Sequence, residues 1–114
     1  MITVIETKAF IARAERLLSE DSRSSIVGFI AANPEAGEIM EGTGGVRKLR
    51  VALPGRGKRG GARVVYYYHN QEFPVFLLGL FAKNQKDNLS KAERNKLKDA
   101  IKTMILAYLQ RREP

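Results

Sequence analysis

The chain contains no cysteine, no tryptophan and only one histidine, His69, among its 114 residues. Without cysteine it can form no disulfide scaffold, no thiolate-ligated zinc site and no thiol nucleophile. A single histidine with no acidic cluster beside it matches neither a metal-ligand spacing nor a serine–histidine catalytic pair. The sequence therefore predicts a protein that binds no metal and no cofactor.

Long hydrophobic runs are also missing. No apolar segment approaches the roughly 20 residues of a membrane-spanning helix. The first ten residues, MITVIETKAF, lack the basic region and long apolar stretch of a signal peptide. Hydrophobic residues still make up 44% of the sequence, which is enough for a core. We therefore expect one domain over residues 1–114, located in the cytoplasm and without a membrane partner.

A third absence is local, because residues 42–71 contain no acid and seven bases. The whole chain has 20 Lys and Arg against 12 Asp and Glu, a net charge of +8. Residues 1–41 carry four bases and seven acids, whereas residues 72–114 carry nine bases and five acids. Such a concentrated positive segment indicates a surface for a polyanion, the alternative being a solvated loop with incidental charge.

Hydrophobic periodicity predicts seven elements in the order β-α-α-β-β-β-α, which defines an α+β domain. A small antiparallel sheet is flanked by an N-terminal helical hairpin and a C-terminal helix. Strands are predicted over residues 2–6, 46–53, 62–69 and 75–82, and helices over residues 8–18, 21–32 and 90–111. The last helix opens with the capping box Ser90-x-x-Glu93. The GTGG and PGRGKRGG segments, residues 42–45 and 54–61, are interpreted as a turn and a flexible basic loop.

Side-chain alternation gives the predicted sheet a cationic face. Lys48 and Arg50 point to one side of their strand, while Arg63 and Tyr67 share one side of the next. Bases that converge on a sheet face neutralise phosphates, and tyrosines near them stack on unpaired bases. Since no helix resembles a major-groove reader, the pattern favours RNA or a single strand over a duplex.

Three segments together resemble a known family. They are GTGGVRKLRV at residues 42–51, GKRGGARVVYYY at residues 57–68 and FAKN at residues 81–84. The combination is similar to the HigB branch of the RelE/ParE toxin superfamily. This resemblance implies a RelE-like fold and the toxin of a type II toxin–antitoxin system. The implied activity is that of a metal-independent, ribosome-dependent endoribonuclease, an mRNA interferase that inhibits translation by cleaving mRNA in the A site.

The resemblance also implies roles for individual residues. Lys48, Arg50, Arg63 and Lys83 are expected to be catalytic, because clustered cations stabilise the phosphorane dianion formed when a 2′-hydroxyl attacks its neighbouring phosphate. A lysine with a lowered pKa would assist the proton transfers. No tyrosine lies in residues 84–90, where some RelE-like members have one, so Tyr67 or no tyrosine fills that role. The residues expected to contact RNA or the ribosome are Arg47, Arg56, Lys58, Arg59, Tyr67 and Lys86.

The implied partners are the ribosome, its mRNA and a cognate antitoxin, a HigA-like protein with a helix-turn-helix domain. Two alternatives stay open: a ParE-like inhibitor of gyrase, and a non-catalytic RNA-binding module. ParE-like members tend to lose the basic cluster, so the presence of Lys48, Arg50, Arg63 and Lys83 favours the ribonuclease.

Overall fold

The order of elements follows the predicted order, with one additional strand. The computed structural model describes residues 2–53, 61–82 and 89–112. The elements are β1 (Val4–Glu6), α1 (Lys8–Leu17), α2 (Glu20–Ala32), β2 (Glu38–Ile39), β3 (Val46–Val51), β4 (Ala62–Tyr67), β5 (Val75–Ala82) and α3 (Lys91–Arg112). The α+β fold class is therefore confirmed. The predicted basic loop at residues 54–61 lies, except for its last residue, outside the described residues.

Each helix begins at a side chain that satisfies free backbone N–H groups. Thr7 caps α1 and Ser19 caps α2 by accepting hydrogen bonds from the first turn. At α3 the predicted capping box forms in full. The Ser90 N–H donates to Glu93 Oε1 at 2.9 Å, and the Glu93 N–H donates back to Ser90 Oγ at 3.2 Å. These short polar signals explain why the helix starts could be predicted from sequence.

The described strands form one sheet in the order β1-β5-β4-β3-β2. Strands β3, β4 and β5 pair antiparallel, as predicted, and β2 adds to β3 antiparallel, but β1 runs parallel to β5. The expectation of a purely antiparallel sheet is corrected at this edge. Strands β1 and β5 are joined through most of the chain rather than by a tight turn, so a parallel pairing is allowed. Strand β2 escaped prediction because two residues are too short to show alternation.

The predicted turn at residues 42–45 is what brings β2 onto β3. Its three glycines have φ values of 75°, 78° and 112°, which side chains with a Cβ rarely adopt. Thr43 is fully buried, and its hydroxyl donates to the Met40 carbonyl at 2.6 Å and accepts from the Val46 N–H at 3.0 Å. The turn thereby places Glu38 opposite Lys48 in the β2–β3 ladder.

The sheet is covered on both faces, each with its own apolar core. One face packs against α1 and α2, and its buried residues include Phe10, Ile30, Val64, Tyr66 and Leu77. The other face packs against α3, and its buried residues are Val46, Val65, Tyr67, Phe76 and Ile101. Helix α3 therefore lies on the face predicted to be cationic. In the described part of the chain, no helix combines the length and apolarity needed to cross a membrane.

A β-bulge in β5 changes which residues reach the α3 face. Tyr66 pairs with Leu77 but Val65 pairs with Gly79, so Leu78 has no partner in the ladder. A bulge shifts the alternation of side chains by one residue. Phe76 and Phe81, five positions apart, consequently both pack on the α3 side.

A buried tyrosine fastens the segment before β2 to the sheet. The Tyr66 hydroxyl accepts from the Gly37 N–H at 2.8 Å and donates to the Pro34 carbonyl at 2.9 Å. Beside it, Arg47 Nη1 donates to the carbonyls of Gly37 at 2.8 Å and Glu35 at 3.1 Å. A Cβ at Gly37 would lie 2.9 Å from the Tyr66 ring, so only glycine fits this approach. We call residues 34–37, with these contacts, the anchored loop.

Removing the Tyr66 hydroxyl tests the anchored loop. We expect Tyr66→Phe to lower the free energy of unfolding by about 1–3 kcal/mol, because the buried Gly37 N–H and the partly buried Pro34 carbonyl lose their partner. Urea denaturation followed by circular dichroism measures the change. Tyr68→Phe is the matched control, since the Tyr68 hydroxyl forms no hydrogen bond with the described residues, and it should cost less than about 0.5 kcal/mol. Equal losses in the two variants would contradict the anchor.

The same tyrosine predicts a loss of stability at alkaline pH. Burial raises the pKa of Tyr66 above its ordinary 10.0, against the opposing effects of the Gly37 hydrogen bond and the Arg47 charge. The folded chain therefore keeps this proton to a higher pH than the unfolded chain. The contribution of this protonated hydroxyl to the free energy of unfolding is fully present below about pH 10, and it is lost as the pH rises through the pKa of the folded state. In this pH range the melting temperature of wild type should fall more steeply with pH than that of Tyr66→Phe. Parallel curves of melting temperature against pH would contradict the assignment.

Candidate active site

The pairing of β3 with β4 gathers three of the predicted catalytic cations on one face of the sheet. Arg50 lies directly opposite Arg63, and Lys48 lies opposite Val65 on the next same-face position. Directly opposed residues have Cβ atoms about 4.5–5.5 Å apart and point to the same side. Since Val65 packs against α3, all three cations lie on the α3 face. The strand alternation predicted that Lys48 and Arg50 share a side, and the β3–β4 register places Arg63 on the same side.

A cleft of about 490 Å³ opens at these cations. Arg63 is only 7% exposed, Lys48 is half-buried and Arg50 is exposed, so the positive charge extends from the sheet to the surface. The lining residues are Ala36, Glu38, Lys48, Leu49, Arg50 and Arg63. We call this set the cationic cleft.

The composition of the cationic cleft suits a phosphate group. Arginine guanidinium groups bind phosphate oxygens in pairs of hydrogen bonds, and a lysine adds a compact point charge. Partial removal from water strengthens these interactions relative to a solvated loop. The cleft can therefore hold a phosphodiester and stabilise additional negative charge on it.

Glu38 is the residue of the cleft that sequence reasoning missed. It lies opposite Lys48 in the β2–β3 ladder and brings one carboxylate to a site whose other charged lining residues are cations. The only signal in the sequence was the GTGG turn, which implies that the residues before it fold back onto the strand after it. Across the described stretches, no group of three or more His, Cys, Asp or Glu side chains is placed to hold a metal ion.

Two predicted RNA-contacting residues lie away from the cationic cleft. Arg47 points to the opposite face, beside Tyr66, where its guanidinium holds the anchored loop. Tyr67 shares the face of Arg63 but lies four residues along β4, about 13 Å away. Its hydroxyl is 2.8 Å from His69 Nδ1, and burial raises its pKa above the ordinary value. Tyr67 is therefore a neutral hydroxyl outside the cleft lining.

His69 belongs to an aromatic cluster rather than to the cleft. Its ring packs edge-on against Phe73 at 4.6 Å between centroids, and Phe73 in turn lies 5.2 Å from Tyr108 on α3. The cluster ties the end of β4 to α3. The strand predicted over residues 62–69 ends at Tyr67, so His69 lies just beyond β4.

The remaining predicted site residues lie outside the described residues. They are Arg56, Lys58 and Arg59 in residues 54–60, and Lys83 and Lys86 in residues 83–88. Both segments follow strands that end near the cleft. Strand β3 ends at Val51, one residue past Arg50. Strand β5 ends at Ala82, one residue past Phe81, which pairs with Arg63.

Comparison with known proteins agrees with the fold. Residues 6–111 match the family model described as the RelE toxin of the RelE/RelB toxin–antitoxin system. Among solved structures, the chain is similar to the toxin RelE of E. coli, in a free-state mutant with two arginine-to-alanine substitutions. That similarity has a TM-score of 0.51 at 16% identity and covers 70% of this chain and 81% of the other, so it supports the fold alone. Because the family model spans nearly the whole sequence, this chain belongs to the RelE toxin family of toxin–antitoxin systems.

Proposed function

We propose that this protein is a HigB-type toxin that cleaves mRNA in the ribosomal A site and thereby stops translation. The observation that carries the proposal is the cationic cleft, in which Lys48, Arg50, Arg63 and Glu38 meet on one sheet face. Membership of the RelE family supplies the context, since RelE toxins pair with an antitoxin and are generally endoribonucleases that act on the ribosome.

The proposed reaction is an internal transfer at phosphorus. The 2′-oxygen of the RNA attacks the adjacent phosphate and loses its proton, while the bond from phosphorus to the 5′-oxygen breaks. The 5′-oxygen takes up a proton, which leaves a 2′,3′-cyclic phosphate and a 5′-hydroxyl. No water or external nucleophile enters this step, so the protein needs only to stabilise charge and move protons.

The cleft residues divide these tasks by their chemistry. Arg50 and Arg63 bind the non-bridging phosphate oxygens, where negative charge grows in the transition state. Glu38, which brings a carboxylate to the cleft lining, accepts the proton of the 2′-hydroxyl. Lys48, directly opposite Glu38, donates the proton that the leaving 5′-oxygen takes up.

The HigB assignment rests on the three sequence segments at residues 42–51, 57–68 and 81–84. It implies a HigA-like antitoxin with a helix-turn-helix domain, and action in the cytoplasm where ribosomes translate. The residues proposed to bind ribosomal RNA are Arg56, Lys58, Arg59 and Lys86. Lys83 is proposed to add a cation to the catalytic group. Such contacts are ionic and therefore weaken with added salt.

Neutralising the buried cation of the cleft tests catalysis. We expect Arg63→Gln to slow single-turnover cleavage of mRNA on programmed ribosomes by about 10²–10³-fold, because one donor to the transition-state charge is lost. Arg16→Gln, an equal charge change on the exposed end of α1, should alter the rate by less than about twofold. Thermal melts confirm that both variants fold.

Three outcomes would contradict this assignment. Unchanged cleavage by Arg63→Gln would remove that residue from the site. Translation arrest without any cut, mapped by primer extension, would favour the non-catalytic RNA-binding module. DNA breaks that require gyrase would favour the ParE-like alternative.

Replacing the cleft carboxylate tests the proton transfer separately. We expect Glu38→Gln to reduce kcat by about 10²–10⁴-fold with little change in KM, because the amide keeps the shape but accepts no proton. Glu35→Gln is the matched control on the anchored loop, since the Glu35 side chain does not line the cleft. Equal kcat values for Glu38→Gln and wild type would show that another group takes the proton.

A further inference from the structure

An apolar pocket of about 380 Å³ adjoins the cationic cleft on the α3 face. Strands β4 and β5 contribute Val65, Gly79 and Phe81. Leu97, in the first half of α3, and Leu89, two residues before the helix begins, line the other side. Volumes of this size are within the range of small-molecule sites, which are mostly apolar with a few polar groups. Nothing in the proposed reaction uses this pocket, which we call the apolar pocket.

Two pairs of directly opposed residues in the strand ladders connect the apolar pocket with the cationic cleft. Val65 of the pocket lies opposite Lys48 of the cleft, and Phe81 of the pocket lies opposite Arg63 of the cleft. Opposed side chains on one face are about 4.5–5.5 Å apart at Cβ. One ligand can therefore contact both sites if it carries an anionic part beside an apolar part.

The bulge in β5 gives the pocket its shape. It brings Gly79 opposite Val65, where the absence of a side chain leaves space beside the Phe81 ring. A Cβ at Gly79 would lie 3.4 Å from Phe81 Cε2, which is ordinary van der Waals contact. The guanidinium of Arg13, on α1, lies 5.4 Å from the Phe81 ring centroid. A cation in this arrangement attracts the ring, so the aromatic wall is held in place.

A nucleotide matches this combination better than a protein segment does. Its phosphate would lie among Lys48, Arg50 and Arg63, and its flat base would pack against the Phe81 ring. An apolar peptide in the pocket would leave the charge of the adjoining cleft uncompensated. We propose that the apolar pocket holds a nucleobase next to the scissile phosphate of the RNA; this inference rests on the proposed function.

A double-mutant cycle between the protein and the RNA tests the proposal. The protein variants are Gly79→Ala and Gly79→Val, which fill the pocket from its β5 side to two extents. The RNA variants are mRNAs on programmed ribosomes with an abasic residue on either side of the scissile phosphate. Single-turnover cleavage rates are measured for every combination. Gly28→Ala on α2, where a Cβ meets nothing within 4 Å, is the matched control.

We expect wild type to cleave one of the abasic messages at least about tenfold more slowly than the intact message. Gly79→Val should cleave the intact message about tenfold more slowly than wild type, with Gly79→Ala between them. On the sensitive abasic message, wild type and Gly79→Val should cleave at equal rates, because the base that the valine excludes is already missing. Gly28→Ala should match wild type on every message.

Other results would overturn the proposal in distinguishable ways. Suppose that wild type cleaves the intact message, and that the fold-decreases in rate caused by the Gly79 substitution and by the abasic residue multiply. The pocket then holds no base, although the proposed function stands. If the Gly79 variants cleave normally but lose binding to the purified antitoxin, the pocket holds a protein side chain. If wild type cleaves no message on the ribosome, the proposed function and the base pocket fall together.

Discussion

The pairing of β3 with β4 is the constraint on which the site depends. Arg50 meets Arg63 and Lys48 meets Val65 only in this register. Because successive side chains of a strand point to opposite faces, a slip by one residue would send Lys48 and Arg50 into the core under α1 and α2. The apolar residues that alternate with them, such as Leu49 and Val64, resist that slip because they are packed there. Core packing and the cationic face are thus consequences of one alternation.

Two irregular features turn this cationic face into a shaped site. On one side, Tyr66 and Arg47 hold the anchored loop to the sheet, and the glycine turn then lays Glu38 beside Lys48. On the other side, the bulge in β5 places Gly79 and Phe81 under the first half of α3. The cleft therefore lies between a carboxylate and an aromatic wall, and each is positioned by a departure from regular strand geometry.

Local signals were sufficient for much of the fold. Thr7, the Ser90–Glu93 box and the glycines at 42–45 act through nearby backbone groups, so their effect can be predicted from neighbouring residues. The strand alternation likewise placed Lys48 with Arg50 on one side of β3 and Arg63 with Tyr67 on one side of β4. By the same alternation Arg47, the neighbour of Lys48, points to the opposite side, where it lies beside Tyr66 and donates hydrogen bonds to the anchored loop.

The sequence by itself determined the element order, the helix starts and the cationic side of β3 and β4, because these depend on contacts between residues close along the chain or on simple periodicity. Only the tertiary structure decided that β1 joins β5 in parallel, that Glu38 enters the cleft and that Gly79 opens a pocket beside Phe81. Those features arise from pairings between segments far apart in sequence and from a bulge that interrupts the period. Neither leaves a local pattern to read, since the partner that fixes each residue lies elsewhere in the chain.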